Sequence, residues 1–381
     1  MTENNLVGRV RQRLAETGSG NLAGIMRDEQ SGAAMIADDA ALAALERDVV
    51  AELSGAGPLE PLLRLPGITD VLVNRPDEIW LDRGRGLERA PVRFADDVAV
   101  RRLAQRLATA AGRRLDDASP CVDAVLPDGT RLHAVLPPIT THAALSLRVL
   151  ARRRFELADL VARPVAALLR AIVAARLAIV ISGGTGTGKT TLLGALLGCV
   201  PPAERLVVIE DAREVVTSHP HVVRLVTRAP NVEGAGAVGL RELVRQALRM
   251  RPDRLVVGEF RGAEMVELLV ALNTGHEGGA ATLHANAAVD VPARLAALGA
   301  LGGLSRAAVT SQVASALDVV VHLRRGSSGR RRVAEIGLLE RAGDELTASP
   351  AWSSGHGTGA RWDVLVERLT ERGVDCAELL P

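Results

Sequence analysis

Residues 183–190 read Gly183-Gly184-Thr185-Gly186-Thr187-Gly188-Lys189-Thr190, which satisfies the pattern G-x-x-x-x-G-K-[ST]. Such a pattern serves to hold phosphates. Its glycines let successive backbone N–H groups wrap an anion, and a helix starting at the lysine adds the positive end of its dipole. In that arrangement Lys189 contacts the β- and γ-phosphates, the Thr190 hydroxyl ligates Mg2+, and Thr191 continues the helix near the α-phosphate. An apolar run precedes the loop and a leucine-rich stretch follows it, the strand–loop–helix context the motif requires. Lys189 is also the only lysine in the chain. There a compact, flexible ammonium stands where a planar guanidinium would fit badly.

Two further runs place acids where a bound triphosphate could use them. Val207-Val208-Ile209-Glu210-Asp211-Ala212-Arg213-Glu214 and Leu255-Val256-Val257-Gly258-Glu259 both read as buried strands ending in carboxylates. In an open parallel sheet, ligands bind at the carboxyl ends of the strands, so both sets are expected to face the phosphate loop. One set can help hold Mg2+ and the other can position or activate water; Thr190, Asp211 and Glu259 are the candidate Mg2+ contacts, through nucleotide or water. A single acid in such a place is as readily a helix cap, and it is the occurrence of two that favours chemistry. His276 and His284 frame Thr-Gly-His-Glu-Gly-Gly-Ala-Ala-Thr-Leu-His-Ala-Asn. With no thiolate or third histidine nearby, zinc is not expected. The crowding of Gly, Thr, His and Asn at one strand end favours sensing or positioning of a γ-phosphate over a purely structural histidine.

The elements that must carry these residues are visible in the hydrophobic pattern. Beyond residue 160, strand-like runs at 178–182, 207–210, 255–257 and 280–283 alternate with helical stretches at 189–198, 238–250 and 262–273. Such alternation predicts a mostly parallel sheet covered on both faces. Val319–Leu323 and Arg332–Leu338 flank a Gly-Ser turn and predict a hairpin. Upstream, residues 68–74, 78–82, 122–126 and 131–136 read as strands broken by turn residues, with a helix over 95–112 whose first turn suits Asp96 and Asp97. The expected organisation is a helical N-terminal segment over 1–54, an α/β domain over 55–150, a linker at 151–160 hinged on Arg152-Arg153-Arg154, the phosphate-loop domain over 161–340, and a C-terminal tail over 341–381.

With 381 residues and 48% hydrophobic content, the chain has material for more than one core. A net charge of +1 gives no electrostatic case for a nucleic-acid partner. The basic stretch Arg324-Arg325-Gly326-Ser327-Ser328-Gly329-Arg330-Arg331-Arg332 is expected to be a solvated hairpin tip. Three dispersed cysteines, Cys121, Cys199 and Cys376, indicate neither a zinc site nor a disulfide framework and fit a reducing compartment. The polar N-terminus does not read as a secretory signal, and no apolar run approaches the ~20 residues of a membrane span.

Taken in order, GGTGTGKT, IEDARE, RMRPDRLVVGEFRG and TGHEGGAATLHAN resemble the Walker A, Asp box, Walker B and His box of the ATPases of type II and type IV secretion and type IV pili. The stretches GPLEPLL, ITDVLVNRPDEIW, GRRLDDASPCVDAVLPDGTRLHAVLPP and LSLRVL resemble the N-terminal domain of the Tad/CpaF branch, so the likeness spans roughly residues 50–340. The resemblance implies a RecA-like phosphate-loop domain preceded by a smaller α/β domain, with ATP and Mg2+ as cofactors. It implies a homo-hexameric ring in the cytoplasm, at the inner face of the cell membrane, driving an inner-membrane platform protein in pilus assembly or secretion. A conjugation-type DNA-transfer ATPase and a nucleotide-binding switch or scaffold are the alternatives. By the same resemblance Glu214 is the water-activating Asp-box glutamate, Glu259 the Walker B glutamate near Mg2+, His276 and His284 the His box, and Arg131 and Arg148 the N-domain arginines that close on the phosphates. Arg249, Arg251 and Arg261 lie within or beside Walker B and are placed to couple to it. Arg213 departs from the pattern by putting a positive charge inside the Asp box. The Cys-rich zinc insert of the type II secretion branch is missing.

Overall fold

The computed structural model describes residues 55–84, 86–149, 154–231, 233–326, 329–377 and 379. The helical segment expected over 1–54, two of the three hinge arginines (Arg152 and Arg153) and the hairpin-tip residues Ser327 and Ser328 lie outside these. The chain divides into two compact units, Met1–Leu150 and Ala151–Pro381.

In the first unit, six strands form one sheet: β1 (Asp70–Arg75), β2 (Glu78–Asp82), β3 (Leu87–Arg89), β4 (Cys121–Val125), β5 (Arg131–Val135) and β6 (Ala144–Arg148). Their order is β3-β2-β1-β6-β5-β4, with every neighbouring pair antiparallel. β1 and β2 bury alternate residues, as does β4, so one face is apolar. Helix α1 (Asp97–Ala110) closes that core with Val100, Leu103, Ala104, Leu107 and Ala108, a single helical stripe. The Asp96 carboxylate caps it by accepting the Ala99 N–H at 2.8 Å.

The second unit is built on a nine-stranded sheet. Its strands are β7 (Ile179–Gly183), β8 (Leu206–Glu210), β9 (Val222–Val226), β10 (Arg254–Phe260), β11 (Ala280–Leu283), β12 (Val319–Arg325), β13 (Arg331–Ala342), β14 (Glu345–Ser353) and β15 (Gly357–Thr358), in the order β15-β14-β13-β12-β7-β11-β10-β8-β9. β12, β7, β11, β10, β8 and β9 run parallel, and the hairpin β12–β13 begins an antiparallel extension. Ile179, Ile181, Leu206, Val208, Val256, Val319 and Val321 enter one core; Val180, Val207, Ile209, Leu255, Val257 and Val320 enter the other. Both faces are therefore dry, which is why these strands read as continuous apolar runs. The first core is covered by α2 (Arg163–Ala174), α3 (Lys189–Leu197) and α8 (Trp362–Glu371). The second is covered by α4 (Leu240–Ala247), α5 (Glu264–Asn273), α6 (Val291–Leu301) and α7 (Arg306–Ala316).

Residues 341–381, read from sequence as a tail with a last helix from Trp362, carry β14 and β15 as well as that helix, α8. Ala351, Trp352, Leu365 and Leu369 are buried in the first core. Among the described residues, no helix is long and apolar enough to cross a membrane.

Helix α3 packs unusually close to the segment after β8. A Cβ built on Gly194 would fall 2.1 Å from the Val216 carbonyl oxygen, a backbone atom with no rotamer to escape into. Gly194→Ala is expected to cost ~2 kcal/mol or more through overpacking, read as a lowered midpoint in thermal unfolding. Gly355→Ala, where an added Cβ meets nothing within 4 Å, is the matched control and should be nearly neutral.

Candidate functional site: a phosphate loop with an acid–histidine cluster

The loop between β7 and α3 has the geometry its sequence predicts. Gly188 caps α3 in the left-handed region, at φ +96°, and Gly183 adopts φ +149° where its missing Cβ would lie 2.7 Å from the Leu323 carbonyl oxygen and 2.8 Å from Thr187 Oγ1. Neither position admits a side chain without strain. The Thr187 hydroxyl ties the turn by donating to the Gly184 carbonyl at 2.8 Å. The first turn of α3 carries no acid, and the N–H groups that open a helix have no intrahelical acceptor. These features make a cradle for an anion, and a nucleotide's phosphate chain fits it.

Lys189 lies within this cradle and is 7% exposed. Its ammonium donates to the carbonyls of Gly183 and Gly184, both at 3.0 Å, and stands 3.3 Å from His284 Nδ1. Burial pulls its pKa down, Glu259 opposes this, Arg261 adds to it, and Glu214 again opposes it. His284 follows directly on β11, whose Leu283 is level with Ser182 of β7, so the imidazole arrives beside the loop. Its Nε2 is 3.0 Å from Glu259 Oε1. A neutral ring protonated on Nε2 can donate to Glu259, while the ammonium lies over the ring, 3.3 Å from Nδ1 and 3.4 Å from Nε2. Burial first, then the positive charge of Lys189, lowers the His284 pKa, which favours that neutral form.

A register shift puts Glu259 in place. Val257 pairs with Ala281 but Phe260 with Leu283, so Gly258-Glu259 contains one residue more than the facing strand. The bulge re-aims the glutamate. The Thr282 hydroxyl fastens it, donating to the Gly258 carbonyl at 2.6 Å. Arg261 then bridges two acids, with Nη2 2.7 Å from Glu259 Oε2 and Nη1 3.6 Å from Asp211 Oδ2.

Glu214 is positioned by a neighbour that the sequence reading left without a role. Glu210, buried at the end of β8, accepts the backbone N–H groups of Glu214 at 2.9 Å and Val215 at 2.7 Å and so folds the chain back after the strand. Burial raises the Glu210 pKa against the pull of those two donors. The Glu214 carboxylate acts electrostatically on both Lys189 and Arg261, which places it in the same cluster.

His276 is not brought to this cluster. It ends α5, with Nδ1 3.2 Å from the Ala271 carbonyl oxygen, and lies three residues before Gly279, whose carbonyl accepts from Ile179 at the start of β7. It therefore sits at the opposite end of the sheet from Lys189, because α5 runs back antiparallel to the strands. Of the three arginines beside Walker B, Arg261 alone enters the cluster. Arg249 donates to the Arg245 carbonyl at 3.3 Å, and Arg251 turns the chain with φ +54°. In the first unit, Arg131 and Arg148 are direct cross-strand partners on β5 and β6, and Asp70 faces Arg148 from β1. Two like charges opposite each other repel, and Asp70, 3.7 Å from Arg148, offsets this in part. Among the described residues, no group of three or more His, Cys, Asp and Glu side chains could hold a metal by itself.

One buried pair beside the loop was not anticipated. His322 of β12 is level with Ser182, and its Nδ1 lies 2.9 Å from the serine Oγ. Its only sequence signal is a lone histidine in a valine-rich strand.

Fold and site together define a RecA-like phosphate-loop domain. The chain matches the family described as type II/IV secretion system protein over residues 52–358, and it belongs to that family. A putative conjugal transfer protein of Mycobacterium tuberculosis (strain H37Rv) is 57% identical over 335 residues, covering 85% of this chain and 95% of that protein. The type IV secretion system protein PtlH of Bordetella pertussis is 34% identical over 316 residues, covering 73% of this chain and 92% of that protein. Among solved structures, the pilus retraction motor PilT with bound ADP shares the fold, with a TM-score of 0.52 at 20% identity over 80% of this chain and 84% of that one.

The His322 environment yields a pH prediction. Burial, then Arg324, lowers its pKa against the Asn286 carbonyl and Asp290, so the folded state holds the ring neutral. As pH falls below the ordinary value of about 6.5, the unfolded chain takes up the proton first and stability declines. His322→Gln should therefore lose less stability than wild type between roughly pH 7 and pH 5 in urea unfolding. Equal losses would show that the ring is not held neutral.

Proposed function

We propose that this chain binds and hydrolyses ATP at Gly183–Thr191 and uses the cycle to drive a secretion machine of the inner membrane. The observation that carries the reading is the convergence of Lys189, His284 and Glu259 at the mouth of the phosphate loop, with Arg261 and Glu214 around them. A loop that only bound phosphate would have no use for carboxylates at the ends of two neighbouring strands.

In this reading Lys189 leaves its carbonyl partners for the β- and γ-phosphates. Mg2+ would be held by Thr190 and, through water or nucleotide, by Glu259 and Asp211; it would neutralise charge on the phosphates. Glu214 orients and deprotonates the attacking water. Once Lys189 has moved to the phosphates, His284 stays beside the γ-phosphate, its ring oriented by Glu259. Arg131 and Arg148 are assigned to the phosphates as well, supported by their placement side by side on one sheet face, and their guanidinium groups would stabilise charge on the equatorial oxygens. His276 is left out of this set, since it caps a helix at the end of the sheet away from Lys189.

The work is assigned to a homo-hexamer at the inner face of the cell membrane, pushing on a platform protein during Tad/Flp-type pilus assembly or secretion. Likeness in the first unit to the Tad/CpaF pattern supports that branch. Conjugal transfer is the second reading, favoured by the likeness to the putative conjugal transfer protein of M. tuberculosis.

Steady-state ATPase activity with Mg2+ tests the chemistry. Wild type is expected to turn over, Lys189→Ala to lose ATP binding, and Glu214→Gln to bind ATP while losing on the order of 100-fold or more in rate, as removal of a positioned base does. Wild type that binds ATP but stays inactive when concentrated with membranes would overturn the motor reading in favour of a switch.

A further inference from the structure

The side chain of His284 is held by Lys189 and Glu259, but its backbone lies beyond the last paired residue of β11 and must be located by other means. From His284 the chain passes through Ala285, Asn286 and Ala287 into a single 3-10 turn, Ala288–Asp290, and then into α6. Ala288 is buried in the second core, and the Asp290 carboxylate closes the turn by accepting the Ala287 N–H at 3.1 Å. The stretch between the strand and that turn is half-buried or exposed.

Ser182 and His322 lie between this stretch and the strand that opens into the phosphate loop. Ser182 immediately precedes Gly183, and it is level with Leu283 of β11 on one side and His322 of β12 on the other. All three share the sheet face that Val180, Ala281 and Val320 turn to the second core. Ser182 and His322 are buried, and their bond of 2.9 Å uses the ring's Nδ1. The other nitrogen, Nε2, is buried too and has no hydrogen-bond partner among the described residues. The backbone of Asn286 nonetheless bears on the ring, as do the charges of Arg324 and Asp290. A polar pair inside a core needs a reason, because packing alone is better served by the valines that fill the rest of β12. A buried N–H short of an acceptor also gains from any shift that brings one to it.

We propose that His322 is a positioning residue for ATP hydrolysis, tying the backbone just after His284 to the strand that opens into the phosphate loop. Its Nδ1 accepts from the Ser182 hydroxyl, and its Nε2–H is the donor that seats the Asn286 carbonyl. The ring touches neither nucleotide nor reacting atoms and acts through His284. Once Lys189 moves to the phosphates, His284 loses that neighbour, and its place depends on Glu259 and on the seated backbone. The proposal rests on the reading of Gly183–Thr191 as an ATP-hydrolysing site, and the test separates the two.

Steady-state kinetics of the full chain with Mg2+ and ATP, resolved into kcat and KM, make the test. His322→Leu fills the site without hydrogen bonds and should lower kcat on the order of tenfold while KM stays within about twofold. His322→Gln, whose amide can accept from Ser182 and donate to Asn286, should keep most of the wild-type kcat. Ser182→Ala removes a single oxygen from the pair and should lower kcat in the same way, which decides the matter if the leucine variant does not fold. In a His284→Ala background, His322→Leu should cost nothing further, because the two act in series. Three results would overturn the assignment and leave the ATPase reading intact: a wild-type kcat in both His322→Leu and Ser182→Ala, a glutamine variant as impaired as the leucine one, or an undiminished further loss in the His284→Ala background. Wild type that does not turn over ATP would remove the ATPase reading, and the role of His322 with it.

Discussion

One ammonium group governs the site. Lys189 is buried, and a buried cation must be paired or hydrogen-bonded to remain charged. Two carbonyls of its own loop and the His284 ring answer it, and that requirement propagates outward. The imidazole that lies against the lysine reaches Glu259 through Nε2, and the second oxygen of Glu259 is held by Arg261. Four side chains from three strand ends are thus ordered by the solvation demand of one, before any phosphate arrives.

The backbone serves the same end. Placing Glu259 beside His284 needs an extra residue in β10, and the Thr282 hydroxyl on the neighbouring strand secures that bulge. Placing Glu214 needs a reversal after β8, and Glu210 secures it with two accepted N–H groups. In both cases a buried polar side chain is spent on backbone geometry, and the half-buried acid beside it gains its position. Acids of similar sequence appearance thus serve different ends: Glu210 holds the chain, and Glu214 is carried on the segment it holds.

Legibility in the sequence followed the physics of burial. The parallel strands β7, β8, β10 and β11 were readable because both faces are dry and their residues are apolar without interruption. The helices α3, α4 and α5 fell close to their expected spans because propensity and packing agree there. β9 was missed: its residues Val222–Val226 are only half buried at the sheet edge and include Arg224. β14 was missed because Glu345–Ser353 is largely polar and contains Pro350, accommodated at a register shift opposite Gly337. Within the site, the phosphate loop is a local motif and was legible entirely. The Ser182–His322 pair spans 140 positions and the Lys189–His284 contact 95, separations at which spacing carries no signal. His276 shows the converse: eight residues from His284 in sequence, it is placed by a four-residue strand at the other end of the sheet.

The absence of a side chain at Gly194 has a mechanical meaning. Where α3 meets the segment around Val216, peptide backbone rests on peptide backbone, with no rotamer between them to bend. Side-chain contacts behave as soft springs, whereas backbone contacts behave as stiff bearings. α3, which opens with Lys189, and the segment that begins with Glu214 thus meet with no side chain between them to take up slack.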